Sequence, residues 1–166
     1  MTHLDKIDAA ILTRIQKNCR LTSEELGEQV NLSPSACQRR LKRLRSEGIV
    51  EAEVAIVSTK ALGRAITMVA LVSLERERAD IVDRFKNSIR ATPEVMMGFY
   101  ATGDADFVLV LTAKSMEDYE QFTRRFFYQN ADIKGIKTMV VLDRVKASFE
   151  FPIDTDDPMF GFASDS

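Results

Sequence analysis

This 166-residue chain has little of what most catalytic or membrane proteins need. It has a single histidine, His3, so no histidine pair is present to build a metal site or a proton relay. Neither a nucleophile elbow nor a glycine-rich phosphate loop appears. The two cysteines, Cys19 and Cys37, have no C-x-x-C spacing, which argues against zinc and redox chemistry and for reduced thiols in the cytoplasm. No apolar run approaches the roughly 20 residues that span a bilayer, and the N-terminus has no signal-peptide core. The expectation is a cytoplasmic protein that is not an enzyme, with no metal, cofactor or membrane partner.

Excess positive charge is also missing, because the formal net charge is −2. That argues against a polycation that coats nucleic acid. The charge is nevertheless uneven: residues 1–64 carry 11 Lys/Arg against 8 Asp/Glu, and residues 65–166 carry 12 against 17. A mildly basic module precedes an acidic one, so any nucleic-acid contact is expected from the first.

Within that first module, residues 33–48 spell a complete helix. Ser33 suits the N-cap, Pro34 the first helical position, and Gly48 the left-handed residue that ends a helix. Cys37, Leu41 and Leu44 recur on one stripe, to be buried. The opposite stripe is Ser35, Arg39, Lys42 and Ser46, flanked by Gln38, Arg43 and Arg45. A helix that is apolar behind, and basic and amide-bearing in front, suits a DNA major groove. Upstream, Leu4, Ile7, Ile11, Leu12 and Ile15 mark a helix from about Asp5 to Gln16. Thr22–Glu25 is a capping box that opens a short helix from Ser23 to Val30 burying Leu26 and Val30, with Leu21 and Leu26 as its hydrophobic staple. Three helices, the last two joined by a tight turn, predict a helix-turn-helix over residues 1–57. The alternating run 49–57 reads as a strand that connects or pairs subunits, since Glu51 and Glu53 would repel phosphates. Residues 58–65 read as a linker.

From residue 66 to 151 the periodicity switches between 2 and 3.6. Strands are expected at 66–74, 95–101, 107–112 and 137–149. Helices are expected at 79–89, with Ile81, Val82, Phe85 and Ile89 inward, and after Ser115, with Tyr119, Phe122 and Phe126 inward. That order is βαββαβ, the ferredoxin-like pattern, so the chain is read as α+β. Apolar residues on both faces of the strands predict that subunits pair sheet to sheet. Residues 152–166 read as an acidic, frayed tail anchored at most by Phe160 and Phe162.

Leu4-Asp5-x-x-Asp8-x-x-Ile11-Leu12, Leu32-Ser33-Pro34-Ser35-x-Cys37-x-x-Arg40-x-x-x-Leu44 and Gly48-Ile49-Val50 resemble the DNA-binding domain of the Lrp/AsnC (feast/famine) regulators. Thr102-Gly103-Asp104-x-Asp106-Phe107 resembles the signature of that family's ligand-sensing domain. The resemblance covers about residues 4–150. It implies a winged helix-turn-helix followed by a RAM/ACT-like ferredoxin domain. It also implies a transcription factor that dimerises, assembles into octamers or similar homo-oligomers, binds double-stranded DNA and responds to an amino acid bound between dimers. The chain departs from the family at Ala131-Asp132, where Pro-Gly is usual, and at Ile136, where polar side chains often face the ligand.

The candidate groove contacts are Ser35, Gln38, Arg39 and Lys42, because Arg can bond guanine and Gln adenine at two points. Arg43 and Arg45 are expected on phosphates, while Arg40, nearer the buried stripe, holds the fold or a phosphate. Thr102, Gly103, Asp104 and Asp106 could hold an amino acid, with turn amides on its carboxylate and an Asp on its ammonium. The competing reading is a tight turn whose Asp side chains cap backbone amides. Thr138 joins the ligand set on the family pattern alone, and Met97, Phe99 and Tyr100 hint at an apolar effector. Two further readings stay open. One is an architectural DNA binder without an effector; the other is an enzyme like the sirohaem decarboxylases, which the lone histidine disfavours.

Overall fold

The structure is a computed structural model that describes residues 4–76, 78–155, 157 and 160; His3 and Phe162 lie outside them. The chain divides into two compact units, one of residues 1–55 with 146–166 and the other of residues 56–145.

In the first unit, α1 (Lys6–Ile15), α2 (Ser23–Val30) and α3 (Pro34–Ser46) form as the sequence predicts. Asp5 and Thr22 each close a full capping box, and the Ser33 side chain accepts from the Ala36 amide. The turn between α2 and α3 uses Asn31 in the left-handed conformation, φ 55°. Ile11, Leu26, Cys37, Leu41 and Leu44 form one buried cluster, with Leu21, Val30 and Ile49 half-buried around it.

The second unit is an antiparallel four-stranded sheet, ordered β2-β3-β1-β4, built from β1 (Ile66–Leu74), β2 (Val95–Tyr100), β3 (Phe107–Ala113) and β4 (Ile133–Val140). Helices α4 (Ala79–Arg90) and α5 (Met116–Thr123) complete the βαββαβ order. Met68, Ala70 and Val72 of β1 and Phe107, Leu109 and Leu111 of β3 face the helices, where Phe85, Phe122 and Phe127 complete the core. The opposite face carries Val69 paired with Val110 and Leu71 paired with Val108, with Phe99 exposed beside them.

Four expectations need correction. Residues 51–57 form no strand; Val54, Ile56 and Val57 stand exposed, and no strand among the described residues pairs with them to complete a ladder. The last strand spans Ile133–Val140 rather than 137–149. Val140 pairs with Met68 and the Val141 amide bonds the Thr67 carbonyl, so two residues further on β1 has run out. Inward of α5 lies Phe127, with Phe126 only half-buried. A single π-helical turn, Arg124–Tyr128, follows α5 and adds a residue to that turn, so the inward position after Phe122 falls at i+5 instead of i+4. Lastly, the described part of the tail is docked, not frayed. Just before it, the Gln16 side chain donates to the Phe151 carbonyl at 3.3 Å and accepts from its amide at 3.1 Å, and within it Phe160 is 6% exposed. Within residues 58–65, Gly63 turns with φ 70°, and Arg64 Nε donates to Thr112 Oγ1 at 2.9 Å.

Candidate nucleic-acid interface

Helix α3 presents two chemically distinct faces. Cys37, Leu41 and Leu44 are buried, whereas Ser35, Gln38, Arg39, Lys42 and Arg45 are exposed. Burial raises the pKa of the Cys37 thiol, opposed by the Arg40 charge, so it packs as a neutral group. Three of the helix's five basic side chains are answered by carboxylates from outside it. Arg40 Nη1 lies 2.7 Å from Asp5 Oδ2 and 2.8 Å from Asp8 Oδ1. Arg43 donates to Asp8 Oδ2, and Arg45 Nη2 lies 2.6 Å from Glu53 Oε1. Arg39 and Lys42 have no ion-pair partner among the described residues. Arg43 and Arg45, expected on phosphates, are thus held by carboxylates, and Arg40 takes the fold-holding role. The missed participants are Asp5, Asp8 and Glu53. A signal for the first two existed in the i, i+3 acidic pair that opens α1, opposite the inward-turned Arg40.

The network has a pH signature. Burial pushes the Asp5 carboxyl up, but the Asp8 amide and the Arg40 guanidinium outweigh it and hold its pKa below the usual carboxylate value. A depressed folded-state pKa contributes stability that is present above the unfolded value of about 4 and is lost as pH falls below it. The three-helix unit is therefore expected to loosen below about pH 4, and Asp5→Asn to flatten that part of the profile. Helical circular dichroism against pH checks this.

The second expected site is less unified. Thr102, Gly103 and Asp104 are exposed in the β2–β3 connection, where Gly103 has φ 124°, a conformation that favours glycine. No hydrogen bond occupies the amides of Thr102, Gly103 and Asp104 among the described residues. Asp106 is engaged: its amide donates to the Val72 carbonyl at 3.0 Å, and its Oδ2 accepts from the Leu74 amide at 2.6 Å. It extends the β3–β1 ladder, which is the amide-capping role. Thr138 sits on β4, separated from β3 by β1, so a single subunit does not bring it to this connection. Its Oγ1 lies 2.5 Å from the Tyr119 hydroxyl, beside a cleft of about 470 Å³ lined also by Thr123, Asn130 and Lys134.

Both halves of the chain match known families. Residues 4–51 match a winged helix-turn-helix DNA-binding model, and residues 67–151 match the Lrp/AsnC ligand binding domain. The chain is 70% identical over 151 residues to the uncharacterized HTH-type transcriptional regulator y4tD of Sinorhizobium fredii, covering 91% of this chain and 89% of that one. It is 34% identical to the transcriptional regulator AzlB of Bacillus subtilis, over 91% of this chain and 96% of the relative. A Neisseria meningitidis transcriptional regulator, solved as an L-Met complex, superposes with a TM-score of 0.85 at 34% identity, covering 91% of this chain and 97% of that structure. These relatives are transcriptional regulators, not enzymes. The chain belongs to the Lrp/AsnC family of DNA-binding transcriptional regulators.

Proposed function

We propose that this regulator reads base edges in the major groove with Ser35, Gln38, Arg39 and Lys42, and that an amino-acid effector adjusts how several such helices are presented together. The observation that carries the first part is the exposed α3 face, whose Arg39 and Lys42 have no ion-pair partner among the described residues. A bidentate contact to the right base is worth about 1–3 kcal/mol of discrimination. Arg39→Ala is expected to weaken a duplex enriched from a random pool about 5- to 150-fold and to change binding to a scrambled duplex much less. Arg45→Ala, whose guanidinium Glu53 holds, is expected to change binding to both duplexes little. Equal losses for both variants on both duplexes would refute this division of labour.

One helix on a module of modest charge binds weakly, so affinity must come from multiplicity. The sheet face bearing Val69, Leu71, Val108, Val110 and Phe99 is too apolar to leave in water, and a second subunit's sheet covers it. Sedimentation of the full chain as a folded monomer at micromolar concentration would contradict that arrangement. For the effector, the unoccupied amides of Thr102–Asp104 suit a carboxylate, and the free Asp104 side chain suits an ammonium. The L-Met bound by the Neisseria regulator makes methionine the first probe, in keeping with Met97 and Phe99 nearby in sequence. Binding to the folded state must stabilise it, so a melting shift with one or a few of the twenty amino acids is expected, and it should vanish in Asp104→Ala.

A further inference from the structure

Asp8 is a fully buried carboxylate in the three-helix unit. An aliphatic residue of similar volume would be cheaper there, because a buried ion pair repays little of its desolvation. What the carboxylate achieves is geometric. Oδ1 accepts from Arg40, and Oδ2 accepts from Arg43 and from the Asp5 amide at 3.2 Å. Arg40 is further fixed by Asp5. The Arg43 guanidinium, by contrast, is held by Asp8 alone, and its side chain remains 37% exposed. It lies on α3 next to Lys42 and four residues after Arg39, on the flank of the face that reads DNA. A free arginine in that place would reach for phosphate, the strongest sequence-blind attraction DNA offers.

We infer that Asp8 limits the protein's sequence-blind affinity: by retaining Arg43, it withholds a phosphate contact from every DNA and leaves the exposed face as the part of the helix that meets DNA. This rests on α3 being the DNA-facing helix. Asp8 acts through Arg43 and touches no base, so it is a positioning residue. Near-complete neutralisation of the inner side of α3 by Asp5 and Asp8 fits a regulator whose chain is acidic overall yet must find particular sites.

The test is fluorescence anisotropy of the full-length protein across a salt titration, with a duplex enriched from a random pool and a scrambled duplex of equal composition. Asp8→Asn keeps the shape and removes the charge. It is expected to steepen the dependence of log K on log salt by about 0.9 for each engaged recognition helix. One added phosphate contact of that kind tightens the selected and the scrambled duplex alike, by up to about eightfold at 0.1 M salt, and leaves their ratio unchanged. Arg43→Gln in the Asp8→Asn background is expected to restore the original slope, a rescue that a merely structural role for Asp8 would not produce. Arg43→Gln alone gives a second, independent arm, because Asp8 keeps Arg40 and the Asp5 amide as partners. A slope shallower by about 0.9 in that variant would show Arg43 already on phosphate and overturn the inference. An unchanged slope in a folded Asp8→Asn protein would overturn it too. If the wild-type protein bound no duplex, both the reading of α3 and this inference would fall.

Discussion

Phe85→Ala is expected to destabilise the sheet domain by about 3–5 kcal/mol, a large part of the 5–15 kcal/mol that holds an ordinary domain together. Phe85 is 1% exposed and stands at the centre of an aromatic cluster. Its ring meets Phe107 edge-on at 4.9 Å and Phe126 at 5.8 Å. Truncation removes both contacts and leaves a cavity between α4 and β3 that the surrounding strands cannot close, since their hydrogen-bonded register fixes their spacing. The apolar cluster of the three-helix unit contains none of these residues. Urea titration is therefore expected to show the sheet's transition moved to lower denaturant while the helical transition stays in place. A shift below about 1 kcal/mol would mean that the aromatic core is not what holds the sheet and helices together.

Gly27→Ala is expected to disable DNA binding through a single methyl group. Alanine normally gains about 1 kcal/mol over glycine inside a helix. Here a β-carbon would stand 2.6 Å from the Leu32 carbonyl oxygen, and backbone cannot swing aside as a side-chain tip can. Overpacking of this kind costs about 1–3 kcal/mol, so the sign is destabilising even after the helix gain. The consequence is larger than the number suggests. Leu32 leads directly into the Ser33 cap of α3, so relief of the clash displaces the helix that carries Arg39 and Lys42. A loss of 10-fold or more in affinity, with helical content nearly kept, is the expected result from anisotropy and circular dichroism together. Wild-type affinity in this variant would mean that the tight α2–α3 approach does not position the reading helix.

Elements whose signals are local were readable in the sequence. Asp5, Thr22 and Ser33 announce their helices because a cap needs only the next three residues, and each occupies that position in the structure. The βαββαβ order was readable for a similar reason: alternation and 3.6-residue periodicity are properties of short windows. What failed was whatever depended on a partner. Alternation at 49–57 and 141–149 describes a segment fit to pair, but pairing needs an adjacent strand that β1 is too short to supply at one place and no described residues supply at the other. The π-helical turn at Arg124–Tyr128 is set by packing beneath Phe127, and a fixed 3.6-residue wheel points to Phe126 instead. The tail is polar enough to fray, yet Phe160 within it is 6% exposed, and just before it the Phe151 backbone is bound on both sides by Gln16, 135 positions away.

The DNA-facing surface shows the same division. Which face of α3 is apolar and which is basic follows from spacing, and the structure exposes Ser35, Gln38, Arg39 and Lys42 as that spacing requires. Which of its arginines are free does not follow, because Asp8 lies 35 residues from Arg43 and Glu53 sits beyond the helix. In the turn at 102–106 the two aspartates looked equivalent. Only the register of β1 against β3 brings Asp106 to the Leu74 amide and leaves the Asp104 side chain exposed.

The most direct test of the central claim is dimethyl sulfate footprinting on the enriched duplex, with wild-type protein beside Arg39→Ala. Guanine N7 faces the major groove and adenine N3 the minor groove, so methylation reports which groove α3 occupies. The account predicts protection of guanine N7 at the half-sites, with Arg39→Ala losing protection at one guanine per half-site and keeping the rest. Protection confined to adenine N3, or a guanine pattern unaltered by Arg39→Ala, would contradict it.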